Sequence, residues 1–522
     1  MEGEKKIIEE DVTEIVDTDD ALLASLGYKP EFKRNFTPFE LFGVSFSIIG
    51  LVPSIASVLV YSIPYGGAAA MVWGWATCGV FIFFVALALA ELGSAAPTSG
   101  GLYYWTFRFS SPKWRRFLSW TVAYCNTIGN ISSCASINWG CAVQVMAAAS
   151  IGSGMQFQPT TGHVFATYCA SLILTVLICC VSPRIIARCQ TPYVIVNLLL
   201  CLALFIALPA ATPKEFKNSA KYAFGDFTNL SNWNNGYAFV LSFLSPLWTI
   251  SSFDSIVHIS EEARNANTAV PYGLLMAVSS GIVLGWGVNV VIAFCMGTDT
   301  QSIANSPIGQ PMATILVNSF GQKGTLAIWS WIVVVQFAMG TSMMTACSRQ
   351  IFAFSRDGGL PLSKWLYQLN PKTRAPVQSA IFVGLAAAVI GLIGFGGPNA
   401  TNAIFSLNVI CQNVAFSIPI AARFLGGSKI KPGPFSLGIF SLPVAVIAIS
   451  WMSFTFIVLF FPALQNPGMQ GMNYSIVVFG GWMVLATAYY FIPKYGGKYW
   501  FTGPVKTIGS LRDDDGSHIS DK

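Results

Sequence analysis

The chain has 522 residues, of which 54% are hydrophobic and 14% aromatic, while only 10% carry a charge. Soluble domains carry roughly 25% charged residues, so this composition excludes a soluble protein and indicates a polytopic, all-α membrane protein. The net charge of +6 does not indicate a nucleic-acid partner, because the basic residues lie at the ends of apolar segments, and the 12 scattered cysteines contain no CxxC pair that would predict a metal site.

The first 20 residues are rich in Glu and Asp and have little to bury, which predicts a disordered cytosolic tail over residues 1–35. A twelve-helix membrane domain is predicted over 36–495, followed by a second cytosolic tail over 496–522. Each predicted span has about 20 apolar residues, the length that crosses ~30 Å of hydrocarbon. The spans cover 41–64, 69–92, 117–149, 164–182, 192–211, 236–262, 272–296, 323–354, 376–396, 400–422, 438–462 and 473–493.

The distribution of basic residues predicts the orientation of these spans. If the N-terminus is cytosolic, only four of the 29 Lys and Arg residues fall in outer loops, namely Lys214, Lys217, Lys221 and Lys323. The positive-inside rule therefore places both termini in the cytosol.

The sixth predicted span is polar in its middle. Pro246 lacks a backbone donor and clashes with the preceding turn, so the helix should break just before Thr249–Ser252. Asp254 follows at membrane depth, where an ionisable residue costs ~2.5–3.5 kcal/mol and usually marks a substrate or ion pathway. Unwound backbone survives at this depth only where it lines a cavity.

The first predicted span is interrupted in the same way, by Gly50, Pro53 and Ser54. Five spans separate the two breaks, so a second copy of a five-helix unit would enter the membrane in the opposite sense. This spacing predicts an inverted repeat, about 41–211 and 236–422, followed by two further helices over 438–493. The alternative is a pair of proline kinks repaired by neighbouring helices.

Three blocks of sequence resemble the signatures of the amino acid-polyamine-organocation superfamily. They are Glu91-Leu-Gly-Ser-Ala-Ala-Pro-Thr-Ser-Gly-Gly-Leu-Tyr103, Ser252-Phe-Asp-Ser-Ile-Val-His-Ile-Ser-Glu-Glu262 and Ser355-Arg-Asp-Gly-Gly-Leu-Pro361. Leu26-Gly-Tyr-Lys29 and Phe46-Ser-Ile-Ile-Gly50 resemble the fungal amino acid/choline branch, which includes the GABA permeases. The resemblance covers about residues 22–495. It implies the LeuT-type 5+5 fold, discontinuous helices 1 and 6, and alternating access with a small amine or zwitterion at the bilayer centre.

The ends of the broken helices have complementary partial charges. Unsatisfied amides at the start of the half-helix after the first break suit a carboxylate, and carbonyls at the second break suit an ammonium group. The predicted amide end is Gly50, Leu51, Val52 and Ser54, and the predicted carbonyl end is Trp248, Thr249, Ile250 and Ser251.

Trp248 also matches the position where members of this superfamily place an aromatic lid over the ligand. A cation-π contact there would contribute ~0.5–2 kcal/mol. The alternative is an aromatic side chain that only packs, and Phe253 is a second candidate for the same role.

Asp254, His258, Glu261 and Glu262 share one face of the cytosol-directed half-helix. One hypothesis is a proton relay through Asp254 and His258, with Glu91 added by the resemblance. The other is an inner gate in which Glu261 and Glu262 pair with Arg349 or Arg356.

The coupling ion is predicted to be a proton. Thr341 and Ser342 offer hydroxyl oxygens for an alternative sodium site, the ligand type that hard cations prefer. Hydroxyls in membrane helices also serve packing. The lysine that some superfamily members carry in span five is absent, since this span reads Tyr193-Val-Ile-Val-Asn-Leu-Leu-Leu200.

Together these features predict a permease that imports an amino acid, or an amine such as GABA, by proton symport. The predicted location is the plasma membrane, with the vacuole or another endomembrane as the alternative. No enzyme chemistry and no cofactor are predicted, because no Walker loop, nucleophile with a base in register, or metal cluster is present in the sequence. The alternatives are a carrier of choline, polyamine or thiamine, a nutrient sensor of the same fold, and a channel. Partners are the solute and the bilayer, with no nucleic acid, and the sequence leaves the oligomeric state open.

Overall fold

The computed structural model describes residues 19–507 except 182, 428–430, 464, 466–467 and 469–471. This part of the chain is helical, and its isolated β-bridges join Phe36 to Ala263 and Tyr65 to Asn229. The α-helices are 19–25 (α1), Pro38–Ile49 (α2), Leu51–Val58 (α3), Gly67–Ala95 (α4), Gly101–Phe109 (α5), Arg115–Gly152 (α6), Thr161–Cys179 (α7), Pro183–Ala211 (α8), Ala220–Gly225 (α9), Asn235–Leu241 (α10), Leu244–Thr249 (α11), Ser255–His258 (α12), Ala266–Cys295 (α13), Thr300–Ala304 (α14), Pro311–Arg356 (α15), Ser363–Leu366 (α16), Val377–Gly391 (α17), Pro398–Leu425 (α18), Ser441–Val458 (α19), Ser475–Phe491 (α20) and Gly497–Trp500 (α21). Short 3-10 turns cover Leu59–Tyr61, Lys214–Phe216, Ser260–Glu262, Leu392–Gly396 and Gly438–Phe440.

Ten helical segments among the described residues are long and apolar enough to cross a membrane. They are Pro38–Tyr61, Gly67–Ala95, Arg115–Gly152, Thr161–Cys179, Pro183–Ala211, Ala266–Cys295, Pro311–Arg356, Val377–Gly396, Ala400–Leu425 and Gly438–Val458. The predicted sixth span is present only as short helices, and the predicted twelfth is the 17-residue helix α20. The prediction of an all-helical, multi-pass membrane protein is therefore confirmed.

Local sequence explains where several helices begin or break. Thr37 accepts a hydrogen bond from the Glu40 amide and the Glu40 carboxylate accepts from the Thr37 amide, a capping box that starts α2 with Pro38 in its first turn. Gly321 has φ 66° and ψ −176° inside α15, so the helix that follows begins close to the predicted start of the eighth span at residue 323.

Helix α6 lies at the centre of the molecule. It packs along α15 and α18, while α4 packs along α13 and α2 packs against α8 and α13. Apolar side chains on the outer helices are exposed, for example Leu177 on α7 and Leu385 on α17. In a membrane protein such surfaces face lipid, so the polar residues buried on α6 are left facing other helices.

The prediction of a disordered tail is wrong for residues 19–35. Asp19 accepts hydrogen bonds from the amides of Asn265 (2.7 Å) and Ala266 (3.2 Å) at the start of α13, and Tyr28 and Phe32 are buried. These contacts satisfy helix-end amides and bury aromatic surface, which offsets the entropy of ordering the segment. Residues 1–18 and 508–522, the remainder of the two predicted tails, lie outside the described residues.

Candidate functional site

The first break consists of one residue. Gly50 has φ 47° and ψ 57°, a left-handed conformation that glycine adopts without penalty, and it separates α2 from α3. The Gly50 amide donates to the Phe46 carbonyl (3.1 Å) and the Ser54 amide donates to the Gly50 carbonyl (2.8 Å). Leu51 and Val52 are left with amides that find no acceptor among the described residues.

The second break is longer. The chain between α11 and α12 is not helical, and Ser252 has φ 55°, which is unusual for a residue with a side chain. The Trp248 carbonyl accepts from both the amide (3.3 Å) and the hydroxyl (2.6 Å) of Ser251. The carbonyls of Thr249, Ile250 and Ser251 accept no hydrogen bond from the part of the chain that the structure describes.

The two breaks lie next to each other, because half-helices α3 and α11 are in contact. Of the eight backbone positions predicted to hold a ligand, the amides of Gly50 and Ser54 and the carbonyl of Trp248 are already bonded. The remaining positions present free amides on one side and free carbonyls on the other. That arrangement can hold a small molecule with a carboxylate at one end and an ammonium group at the other.

Side chains of α18 hold the second break in its unwound form. Gln412 accepts from the Ser252 amide (3.0 Å) and donates to its hydroxyl (2.8 Å), and Asn408 donates to the hydroxyl of Ser251 (2.9 Å). Sequence analysis missed both α18 residues. The available signal was the four-residue spacing of these two amide side chains, which places them on one face of α18 within a predicted membrane span.

Helix α6 supports the same break from the other side. The Trp248 indole donates to the Ser136 hydroxyl (3.0 Å), and Ser133 and Ser252 share a hydrogen bond (3.0 Å). The Trp248 ring packs 4.9 Å from Phe405, which in turn packs 5.5 Å from Tyr61. This row of rings extends from the break toward the end of the first span, which is the arrangement expected of an aromatic lid over a ligand at the break. Phe253 packs instead against Phe416 of α18, at 5.5 Å.

The side chains of Asp254 and His258 form a pair, with 3.4 Å between Asp254 Oδ2 and His258 Nε2. Both side chains are buried, at 0% and 1% exposure. Asn126 donates to Asp254 Oδ2 (3.1 Å), and Asp254 Oδ1 has no hydrogen-bond partner among the described residues. The His258 Nδ1 atom lies 2.9 Å from the Ser99 carbonyl, so this nitrogen carries a hydrogen.

Ser99 connects this pair to the ion pairs of Glu261 and Glu262. Its carbonyl accepts from His258, and its amide donates to Glu261 (3.0 Å). Glu261 binds Arg356 through two hydrogen bonds of 2.9 and 3.0 Å, and Glu262 binds Arg349 through one of 2.7 Å. The structure thus brings together the predicted inner-gate residues, and all four are buried.

The chain termini also reach this layer. The Arg356 guanidinium lies 4.0 Å from the centre of the Tyr28 ring, and Asp357 accepts from Tyr28 (3.2 Å), Tyr103 (2.7 Å) and the Val505 amide (3.0 Å). Burial raises the pKa of the Asp357 carboxyl to about 6, and it raises the pKa of the Tyr28 hydroxyl as well. Arg356 therefore packs against Tyr28, and the neighbouring Asp357 is held by residues from both the early and the late part of the described chain.

Two predicted site groups lie outside this constellation. The Glu91 carboxylate binds Arg423, Ser436, Ser441 and the Leu437 amide, and makes no hydrogen bond to Asp254 or His258. The hydroxyls of Thr341 and Ser342 donate to the Ala338 carbonyl (2.7 Å) and to the Gln190 side chain (3.1 Å). The structure brings neither group to the paired carboxylate and imidazole.

Comparisons with known proteins identify the family of this chain. The sequence profile of the family described as amino acid permease matches residues 36–482. An uncharacterised amino-acid permease of Schizosaccharomyces pombe is 39% identical over 94% of this chain and 88% of its own length. The GABA-specific permease of Saccharomyces cerevisiae is 38% identical over 95% of this chain and 87% of its own length, and amino-acid permease 2 of Neurospora crassa is 30% identical over 94% and 90%.

Proposed function

This chain belongs to the amino acid permease family and is a membrane transporter rather than an enzyme, and on that premise we propose that it imports an amino acid or a related amine such as GABA by proton symport. The transport cycle is alternating access. The solute binds between the two helix breaks, first open to the outside and then to the cytosol. One of its relatives carries GABA in its name, which supports that solute as the first to test.

One observation carries the substrate class. The free amides of Leu51 and Val52 suit the negative end of a solute, and the free carbonyls of Thr249, Ile250 and Ser251 suit its positive end. A zwitterion satisfies both sets at once. Choline, polyamines and thiamine have no carboxylate, so they would leave the Leu51 and Val52 amides unpaired, at a cost of about 1–3 kcal/mol per buried group.

The proposed topology has twelve spans, arranged as two inverted five-helix repeats and two further helices, with domain 36–495 in the membrane. The short helices from Asn235 to His258 form the sixth span, and α20 forms the twelfth. Both termini are cytosolic and the membrane is the plasma membrane. The distribution of Lys and Arg supports the orientation.

Asp254 and His258 form the proposed proton site. His258 already uses Nδ1 to donate to Ser99, so a further proton lies between Nε2 and the Asp254 carboxylate. Loading this proton changes the charge next to the carbonyl of Ser99, and the amide of the same residue donates to Glu261 of the proposed inner gate. Proton binding and gate opening are coupled through the backbone of Ser99. Glu91, bound to Arg423, has no part in the proposed relay.

Uptake in transport-deficient cells tests the function. Labelled GABA, neutral amino acids, choline and polyamines are compared, with and without a protonophore and with sodium replaced. We expect uptake of a carboxylate-bearing amine that collapses with the protonophore and persists without sodium. Choline uptake that GABA does not inhibit would overturn the substrate class, and uptake that needs sodium would move the coupling ion to Thr341 and Ser342. Unchanged pH dependence in Asp254→Asn would remove Asp254 from the proton site.

A further inference from the structure

Two asparagines of α6 complete a hydrogen-bonded ring with Asp254 and His258. Asn126 donates through Nδ2 to Asp254 Oδ2 (3.1 Å) and accepts through Oδ1 from Asn130 Nδ2 (3.1 Å). The Asn130 Nδ2 atom also lies 3.5 Å from His258 Nε2, and Nε2 lies 3.4 Å from Asp254 Oδ2. All four residues are buried, so water does not substitute for these contacts.

The direction of each hydrogen bond fixes which protonation state the ring favours. An amide NH₂ group can only donate, so Asn130 stabilises a His258 Nε2 atom that carries a lone pair. Once Nε2 is protonated it donates to Asp254, and the NH₂ group of Asn130 then faces another N–H. Asn126 donates to the Asp254 carboxylate in both states and keeps the charge on that oxygen.

We infer that Asn130 is a positioning residue of the proposed proton site: its NH₂ group can only donate, so it favours the form of His258 whose Nε2 atom carries a lone pair and helps the proton to leave during each cycle. This inference rests on the proposed proton symport. The Asp254 carboxylate lies 3.4 Å from Nε2 and attracts the proton, and the Asn130 amide opposes that attraction.

Other charges near the pair are already compensated by their own partners. Glu261 and Glu262, on the same segment, bind Arg356 and Arg349 of α15. Cys347 of α15 is also near Asp254. The contacts from α6 and from the loop before α5 are neutral, through Asn126, Asn130 and the Ser99 carbonyl. The Asn130 amide is therefore the neutral group placed to change the balance at Nε2.

The test is the pH profile of uptake for Asn130→Leu, using whichever labelled solute the wild type transports. Initial rates are measured from pH 4.5 to 8 and divided by the amount of transporter at the cell surface. Without the Asn130 donor, neutral His258 is less stable, so the midpoint moves to more alkaline pH by about 0.5–1 unit, the equivalent of one hydrogen bond. Asn130→Asp, which has nearly the same shape and adds a carboxylate beside the imidazole, moves it further in the same direction.

Asn138→Leu is the matched control. Asn138 is also a buried asparagine of α6, but it bonds to Ser171 (2.7 Å) and the Cys134 carbonyl (2.8 Å), outside the ring. This variant lowers the amount of folded transporter without moving the midpoint. If both Asn130 variants keep the wild-type midpoint, or move it to acid pH, the inference is wrong and the proton symport stands. If wild-type uptake does not depend on pH at all, it is the proposed coupling that fails.

Discussion

The two helix breaks are formed by different backbone conformations and are stabilised by different contacts. The first is a single glycine, whose left-handed backbone costs little and whose neighbours Phe46 and Ser54 close the adjacent turns. The second leaves the Thr249, Ile250 and Ser251 carbonyls unbonded and places a residue with a side chain, Ser252, at φ 55°. Side chains from α6 and α18 bond the amide and the hydroxyl of Ser252 instead.

This difference assigns the two breaks different mechanical roles. The first is determined by its own sequence and should persist whatever the surrounding helices do. The second depends on α6 and α18 at its centre and on the ion pair of Glu261 with Arg356 beyond α12. A movement of those helices would therefore change the second break and leave the first intact.

Removing the charge partner of Glu261, beyond the second break, should have the largest effect. Arg356→Leu leaves Glu261 buried without its arginine, and breaking a buried pair in this way costs about 3–5 kcal/mol. We expect a large loss of stability, measured as a lower Tm of the detergent-purified protein. Replacing both residues, as Glu261→Leu with Arg356→Leu, should be milder because no charge is left unpaired. A double variant as unstable as the single one would contradict the expected compensation.

Removing the support of α18 should come next. Gln412→Leu leaves the Ser252 amide and hydroxyl without this partner, at about 1–3 kcal/mol for an unsatisfied buried group. Because the break carbonyls then lose their fixed positions, the KM for uptake should rise roughly tenfold, which corresponds to ~1.4 kcal/mol. Asn413→Leu is the control, since Asn413 bonds to Thr455 (3.0 Å) instead of the break. An equal KM change in both variants would show that Gln412 acts only through general packing.

The first break should respond to its own residue. In Gly50→Ala the new Cβ would lie 2.7 Å from Met339 Sδ, and the left-handed backbone costs a further ~1–2 kcal/mol. We expect several-fold slower uptake, partly restored by Met339→Ala. Gly152→Ala, whose Cβ would meet nothing closer than 3.9 Å, should have no effect. Ser252→Gly makes the opposite change at the second break, because glycine relieves the strain at φ 55° while the contacts of the Ser252 hydroxyl are lost. Full activity of Gly50→Ala would show that this break does not require glycine.

The smallest expected effect concerns Asp357, beside the gate arginine. Burial raises the folded-state pKa of its carboxyl from 3.8 to about 6, so its contribution to stability is present at low pH and is lost as pH rises through about 6. Asp357→Asn has no such titration. The Tm of the wild type minus that of Asp357→Asn should therefore fall between pH 4.5 and 7.5, whatever constant offset the lost Val505 contact adds. A difference that stays level or rises would contradict the direction of the pKa shift.

Sequence reasoning located most of the backbone of the site. Gly50, Pro53 and Pro246 are local signals, since each acts on its own turn of helix. The first break lies at Gly50, while the second begins after Thr249 and not just before it as Pro246 predicted. Glu261, Glu262, Arg349 and Arg356 were found as a set because buried charges need partners. Glu91 was added to the predicted relay by the family resemblance alone, and the structure pairs it with Arg423 of α18.

By itself the sequence determined the class of protein, the approximate positions of the spans, the two breaks and the family. These features depend on composition, on local backbone chemistry and on motifs that are read along the chain. Only the tertiary structure decided that Asn126, Asn130, Asn408 and Gln412 surround the second break, and that residues 19–35 pack against the inner gate. The physical reason is that a hydrogen bond between two helices depends on how each is rotated about its axis. That rotation is set by the packing of all the helices together and not by any one of them.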